Sequence, residues 1–146
     1  MKFLNSKELK HLRGLLEKCY GAGEKLDYVF MLSENGGIYF ASDSIKLAPR
    51  AQLHIHSVGI YFGELKNEEV RLSIEGSQAV GPIAGKNVLA VDSRVAKMWM
   101  YGMDIPSIAL FDGWVIVRCG NDFLGCGRYK EGRILNHVPK ERRIHE

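Results

Sequence analysis

A chain of 146 residues, 46% hydrophobic and 25% charged, fits one ordinary domain or two small domains that share an interface, and excludes a disordered or fibrous protein. No apolar run approaches the roughly 20 residues that span a bilayer, and charge comes too early at the N-terminus for a secretory signal, so we expect a cytoplasmic protein. Cys19, Cys119 and Cys126 are an odd number without a CxxC pair, which predicts reduced thiols instead of a disulfide framework or a zinc ribbon.

The net charge of +3 is concentrated at one end of the chain. Residues 1–127 carry equal numbers of cations and acids, whereas six cations face three acids from residue 128 onward. A solvated surface and a polyanion-binding surface are both typical of such a run. Charge placement alone therefore leaves both interpretations open.

The first predicted element is a helix. Asn5 and Ser6 are candidate N-caps, and Glu8 stands where a capping box needs it. Gly21 or Gly23 is expected to end the helix. Its apolar face consists of Leu9, Leu12, Leu15, Leu16 and Cys19.

Two β-hairpins are predicted next. Residues 26–32 and 38–41 are rich in strand formers and flank a glycine-bearing turn at 35–37. Residues 54–62 and 69–74 flank a second polar turn. Short helical turns are expected at 43–47 and 77–79. The first half is therefore predicted to be α+β.

The pattern changes at Gly81-Pro82, a pair that ends whatever precedes it, and we predict a division into residues 1–82 and 83–146 there. A strand at 87–91 is followed by a helix capped by Asp92 or Ser93. Gly102 is expected to stop that helix from the position after its C-cap. Short strands at 107–110, 114–119, 123–129 and 133–138 complete the second half with the spacing of a small barrel.

The second half resembles the PUA domain, a small RNA-binding barrel. The resemblance rests on residues 88–91, 101–108, 113–117 and 124–127, the last with a Leu-Gly-x-Gly pattern. It implies a mixed β-barrel that binds RNA. It also implies that Gly102, after the helix, lies at the RNA-contacting lip.

Residues 38–48, 58–66 and 70–74 are similar to the N-terminal domain of the Nip family of large-subunit ribosome assembly factors. This resemblance implies an N-terminal α/β domain packed on a C-terminal PUA-like barrel, with pre-ribosomal RNA as ligand and no catalytic activity. The segment 126–143 is similar instead to the PUA-like tail of the NOL-NOP-sun class of RNA cytosine methyltransferases. The Gly-rich loop and Pro-Cys motif that such enzymes use are absent from the sequence, so a likeness in shape without activity is expected.

Cations of the second half, the residues around Gly102 and two tyrosines that can stack on unpaired bases are the candidate RNA contacts. The full set is Arg94, Lys97, Tyr101, Gly102, Met103, Asp104, Arg128, Tyr129, Lys130, Arg133, Lys140, Arg142 and Arg143. Structural roles stay open for Gly102 as a helix stop, Asp104 as a turn residue and the last three cations as solvated charges. Trp99 is expected in the core. Charge reversal at Arg128, Lys130 and Arg133 is expected to weaken RNA binding without loss of thermal stability.

An enzymatic alternative depends on His54 and His56, which stand at alternate positions of a predicted strand, as two metal ligands can. No third ligand follows at a recognisable spacing. A hydrolase that pairs these histidines with Asp43, Glu64 or Glu69 lacks an activated nucleophile or a general-base constellation. We therefore expect no catalysis, metal or cofactor.

The sequence thus predicts a non-catalytic RNA-binding protein of ribosome biogenesis or rRNA processing. RNA is expected to bind the PUA-like barrel, and assembly, processing or modifying proteins the N-terminal domain. The alternative is a subunit that presents tRNA or rRNA to a separate methyltransferase.

Overall fold

The computed structural model describes residues 1–42 and 59–145 and has a mixed α/β architecture with two five-stranded sheets. The first sheet is antiparallel and keeps chain order: β1 (Lys2–Phe3), β2 (Tyr28–Leu32), β3 (Gly37–Ser42), β4 (Ile60–Lys66) and β5 (Glu69–Leu72). The helical turn expected at 43–47, residues 54–58 of an expected strand, and the candidate ligands Asp43, His54 and His56 lie outside the described residues.

Helix α1 (Ser6–Tyr20) begins and ends where the sequence predicts. The Asn5 side chain accepts a hydrogen bond from the Glu8 backbone N–H at 2.8 Å, and the Glu8 carboxylate accepts one from the Asn5 N–H at 3.1 Å, which completes the capping box. Gly21, at φ 63°, ends the helix in the left-handed conformation that glycine adopts at little cost. The helix buries Leu12, Leu15, Leu16 and Tyr20.

Both predicted hairpins are present in the first sheet. Strands β2 and β3 pair from Tyr28↔Ser42 to Leu32↔Ile38. Strands β4 and β5 are joined by Asn67 and Glu68, both at positive φ, as a tight two-residue hairpin turn requires. Because Lys66 pairs directly with Glu69 across this turn, β4 runs to Lys66 instead of ending at residue 62 as expected.

The second half forms the second sheet. Helix α2 (Ile74–Val80) and a 3₁₀ turn (Gly81–Ile83) lead into it. Its strands are β6 (Val88–Ala90), β7 (Ile105–Pro106), β8 (Trp114–Cys119), β9 (Asp122–Lys130) and β10 (Arg133–Leu135), and helix α3 (Ser93–Met100) connects β6 to β7. The strand order is β6-β8-β9-β10-β7, and β6 is parallel to β8. Among the described strands, β6 and β7 are therefore the edge strands of this sheet. No helix of residues 1–42 and 59–145 is long and apolar enough to cross a membrane.

The strand predicted at 107–110 is wrong. Strand β7 pairs with β10, which begins at Arg133. The next β7-side residue, Ser107, donates its N–H to the Gly132 carbonyl, which already belongs to the β9–β10 turn. Pairing therefore ends there. Ile108 and Leu110 are consequently almost fully exposed. The strand predicted at 133–138 likewise ends at Leu135, where the Asn136 side chain bonds to other backbone groups.

The two sheets share one main hydrophobic core. Phe30 and Phe62 of the first sheet belong to the same buried cluster as Ile116 and Phe123 of the second. The Cys126 thiol lies at this contact, where it accepts a bond from the Leu72 N–H at 3.2 Å and donates to the Leu72 carbonyl at 3.1 Å. A smaller cluster surrounds the buried Trp99. The division at residue 82 stays a prediction.

Candidate nucleic-acid interface

Helix α3 turns two cations outward. The Asp92 carboxylate caps it by accepting from the Val95 N–H at 2.9 Å. Trp99 points inward: it is fully buried and its indole N–H donates to the Leu124 carbonyl at 2.8 Å, as expected for a core residue. Arg94 and Lys97, three residues apart, are exposed side by side on the opposite face.

Gly102 ends α3 as predicted. The Gly102 N–H bonds to the Trp99 carbonyl at 3.0 Å and the Met103 N–H to the Met98 carbonyl at 3.1 Å. Together with the Gly102 φ of 99°, these bonds form a Schellman motif. Met103 then projects into solvent, and the Tyr101 ring lies 5.8 Å from the Lys97 ammonium.

The C-terminal segment returns across the end of α3. The Ile144 N–H donates to the Met100 carbonyl at 2.8 Å, and the Arg143 Nε donates to the Val138 carbonyl at 3.1 Å. A Cβ built at Gly102 would lie 2.6 Å from Arg143 Cδ. The close approach that glycine permits here is therefore made by Arg143, which covers the Gly102 backbone.

Asp104 has a structural role between β7 and β10. Its carboxylate accepts from the Asn136 backbone N–H at 2.7 Å and lies 3.9 Å from the Arg133 guanidinium. The Asn136 amide in turn donates to the carbonyls of Trp99 and Met103 at 2.8 and 2.9 Å. These bonds fix the end of α3 against the β10 strand.

The β9–β10 hairpin carries a second pair of exposed cations. Lys130 and Arg133 are directly opposite in register, joined by a turn at Glu131 and Gly132. Tyr129 is not free to swing out as a stacking platform. Its hydroxyl accepts from the Gly132 N–H at 3.2 Å, and its ring packs edge-on against Phe111, with 6.1 Å between the ring centroids.

Two predicted RNA contacts lie elsewhere, each paired with an acid of the first half. The Arg128 guanidinium lies 2.8 Å from a Glu69 carboxylate oxygen, and that of Arg142 lies 2.6 Å from Glu75. Lys140 is exposed in a 3₁₀ turn (Lys140–Arg142). The structure thus separates the predicted set into the α3 end, the β9–β10 hairpin and the contact between the two sheets.

Sequence reasoning missed an aromatic and cationic cluster at this contact. The Trp114 ring centroid lies 6.0 Å from the Arg71 guanidinium, 5.3 Å from that of Arg128 and 4.8 Å from the edge-on His137 ring. Burial, with the charges of Arg71 and Arg128, lowers the pKa of His137, and Asp104 opposes this. Only the tertiary fold brings these distant positions together, so no local motif marks them.

The described ranges, 1–42 and 59–145, contain no group of three or more His, Cys, Asp or Glu side chains placed to hold a metal ion. The enzymatic alternative that uses His54 and His56 is therefore neither strengthened nor removed, because both histidines lie outside these ranges.

Comparison with known proteins finds a family match in the second half. Residues 86–144 match the family model described as "Methyltransferase RsmF PUA domain". A PUA domain of this methyltransferase type is therefore present. This PUA domain contains α3, the β9–β10 hairpin and the returning C-terminal segment. The methyltransferase likeness predicted from the sequence was confined to residues 126–143, whereas the family match covers residues 86–144.

Relatives match beyond the PUA domain. The chain is 30% identical over 113 residues to "Ribosomal RNA small subunit methyltransferase F" of Aeromonas salmonicida (strain A449). The aligned stretch covers 73% of this chain and 24% of that protein. It is 27% identical over 124 residues to the protein of the same name from Aeromonas hydrophila, 80% of this chain and 26% of that protein. The chain thus spans about a quarter of the length of these relatives.

The aligned stretches are longer than residues 83–146, so the methyltransferase likeness runs into the first half of the chain. This similarity reaches residues for which the sequence predicts only a resemblance to the Nip family. The resemblance to Nip proteins stays a prediction.

Proposed function

We propose that this chain binds ribosomal RNA through its PUA domain and does not itself catalyse a reaction. The observation that carries the proposal is the match of residues 86–144 to the PUA domain of an RNA methyltransferase family. Within that domain, exposed cations lie on α3 and on the β9–β10 hairpin. Strand β7 follows α3 and pairs with β10, so one strand pair connects the two elements that carry these cations. We refer to Arg94, Lys97, Lys130 and Arg133 as the cationic surface.

The cationic surface suits phosphate contacts better than base reading. Each phosphate that a cation neutralises releases counterions, so log K falls with log salt by about 0.9 per contact on duplexes and about 0.7 on single strands.

The second sheet is expected to curl into the small barrel of the family. The register between β8 and β9 shifts between Ile116 and Arg118, where two β9 residues, Leu124 and Gly125, stand opposite one β8 residue. This bulge in β9, with Gly125 at φ 93°, supports the curvature.

The cellular role that we infer is ribosome biogenesis or rRNA processing in the cytoplasm, with the first half docking assembly or processing proteins. A second candidate is a subunit that presents tRNA or rRNA to a separate methyltransferase. The relatives' names favour it, because the residues of this chain resemble one region of proteins named as ribosomal RNA methyltransferases. A relative's catalytic region, purified without its matching segment, should then methylate ribosomal RNA faster when this chain is added.

The direct test is equilibrium binding to a small-subunit rRNA fragment, to single-stranded RNA and to duplex DNA over a range of salt. We expect tighter binding to RNA, and we expect the double variant Arg94→Glu/Lys97→Glu to reduce the salt slope by about 1.4 to 1.8. Lys10→Glu/Arg13→Glu is the matched control, since it reverses two exposed cations at the same spacing on α1. Equal weak binding to all three ligands, or equal effects of the two variants, would overturn RNA binding by the cationic surface.

Absence of catalysis has its own test. Titration of the chain with S-adenosylmethionine should give no saturable heat of binding. A stoichiometric binding curve would overturn the non-catalytic assignment and leave RNA binding untouched.

A further inference from the structure

A groove of about 280 Å³ lies between the two sheets, and none of the four cations of the cationic surface lines it. Tyr61, Arg71 and Ser73 from the first half line one side, and His137 and Arg142 from the C-terminal segment line the other. This volume is just below the range of about 300 to 1,000 Å³ that is usual for small-molecule sites. It suits one nucleotide-sized group better than a dinucleotide cofactor.

The polar groups of the groove match a nucleobase. Tyr61 is 37% exposed and offers a ring on which a base can stack. The lowered pKa of His137 keeps its imidazole neutral at pH 7, with one nitrogen as donor and the other as acceptor. The Trp114 ring packs against His137 and holds its orientation. The Ser73 hydroxyl donates to the Tyr61 carbonyl at 2.7 Å and so fixes the backbone that carries the tyrosine.

The charge of the groove limits the ligand to one phosphate. Arg71 and Arg142 are balanced by Glu75 and Glu141, which line the same groove. A di- or triphosphate would therefore meet as many carboxylates as cations. Arg71 is the cation best placed for a single phosphate, because its ion pair with Glu64 is long, at 3.9 Å, whereas Arg142 is held by Glu75 at 2.6 Å.

The groove is joined to the cationic surface by one stretch of chain. Residues 137–139, 141 and 142 line it. The next two residues cover the end of α3, where Arg143 packs on Gly102 and Ile144 bonds to Met100. An RNA that lies along α3 can thus reach the groove by following this segment. The first half then takes part in RNA binding instead of serving proteins alone.

We propose that the groove holds one unpaired nucleotide of the bound RNA, with its base on Tyr61 and His137 and its phosphate at Arg71. The proposal rests on the RNA-binding function proposed above and adds a second site to it. Bases that leave the stack are the usual targets of specific RNA recognition, since a paired A-form groove hides base edges.

The test compares an RNA hairpin carrying a single-nucleotide bulge with the same hairpin fully paired. The wild-type chain should bind the bulged RNA at least about tenfold tighter, equivalent to about 1.4 kcal/mol and within the range for stacking one base. Tyr61→Ala should remove most of this preference and leave the affinity for the paired hairpin unchanged. Tyr28→Ala is the matched control, because Tyr28 is also on the first sheet and is 38% exposed but does not line the groove.

A second variant separates loss of the site from loss of fold. His137→Gln should weaken the preference for the bulge while thermal unfolding at pH 7 stays within a few degrees of wild type. Free adenosine monophosphate and free cytidine monophosphate, titrated at millimolar concentrations, should shift the NMR signals of His137 in the wild type only weakly. A nucleotide within RNA binds more tightly, because the rest of that RNA also contacts the cationic surface. Stronger binding of the free nucleotides than of the bulged RNA would assign the groove to a metabolite and overturn the proposal.

A bulge preference that survives both Tyr61→Ala and His137→Gln would overturn the groove proposal and leave RNA binding by the cationic surface intact. Failure to bind either hairpin would overturn the proposed function, and the groove proposal with it.

Discussion

Arg128 and Glu69 join the two sheets through an ion pair in which the guanidinium and carboxylate lie 2.8 Å apart. Arg128 belongs to β9 and Glu69 to β5, so the pair crosses between the two halves of the chain. The same guanidinium lies 5.3 Å from the Trp114 ring centroid. Both side chains are part-buried, at 40% and 28% exposure, so solvent screens the pair less than it would on an open surface.

A double-mutant cycle on this pair should measure a real coupling. We expect Arg128→Met with Glu69→Gln to give an interaction energy of about 0.5 to 1 kcal/mol in urea unfolding, which falls at high salt. Arg128→Glu should destabilise more, because two carboxylates then face each other. Lys130→Glu, an exposed reversal two residues along β9, should leave the unfolding free energy unchanged within about 0.5 kcal/mol. A coupling indistinguishable from zero would mean that the pair contributes nothing across the sheets.

The cross-sheet ion pair changes what is expected of charge reversal in this region. Reversal at Arg128, Lys130 and Arg133 was expected to spare thermal stability. The cross-sheet pair removes that expectation for Arg128, whereas Lys130 is exposed and keeps it. The sequence places Arg128 in a cationic run and holds no sign that an acid 59 residues earlier meets it.

Gly102→Ala should be destabilising for two separable reasons. The φ of 99° is unfavourable for alanine, at about 1 to 3 kcal/mol for a strained backbone, and the added methyl would meet Arg143 at 2.6 Å. Gly120→Ala, also at positive φ but with nothing within 4 Å of the built Cβ, should cost less. When Arg143→Ala is added to Gly102→Ala, the double variant should recover only the part of the lost stability that comes from the contact between the new methyl group and Arg143. Equal losses of stability in the Gly102→Ala and Gly120→Ala variants would show that the Arg143 side chain moves aside at no measurable cost.

Cys126 should resist alkylation in the folded protein. Burial raises the pKa of its thiol to about 12, and only the thiolate is the nucleophile. Cys19 and Cys119 are part-exposed. Iodoacetamide at about pH 8 should therefore label those two cysteines first, and mass spectrometry should find Cys126 labelled only after unfolding in urea. Native labelling of Cys126 at the rate of Cys19 would indicate that the contact between the sheets opens readily.

Local signals account for what the sequence predicts well. The capping box of Asn5 and Glu8, the Gly102 stop and β8 at Trp114–Cys119 all depend on neighbours within a few residues. The strand at 107–110 failed because its length is set by where the distant β10 begins, at Arg133. The candidate site divides in the same way: exposure of Arg94 and Lys97 follows from helical spacing, whereas the partners of Arg128 and Arg142 follow from how the sheets pack.

His137 should make the protein less stable as the pH falls. Burial first, and then the charges of Arg71 and Arg128, lower its pKa below the ordinary 6.5, with Asp104 acting in the opposite direction. Between the folded pKa and 6.5 the unfolded chain therefore binds more protons than the folded one, so stability is present above 6.5 and is lost as the pH falls below it. The Trp114 ring packed on the imidazole adds no titratable charge.

Urea unfolding of wild type and His137→Gln from about pH 7.5 to about pH 5 isolates this contribution, since all other titrating groups are common to both chains. We expect the difference in unfolding free energy to favour wild type less at the acidic end. The pairs Arg128–Glu69 and Arg142–Glu75 remain in both chains, so any acid loss through their carboxylates cancels in the difference. Parallel pH profiles would mean that His137 titrates alike in the folded and unfolded states and is not held neutral at the contact between the sheets.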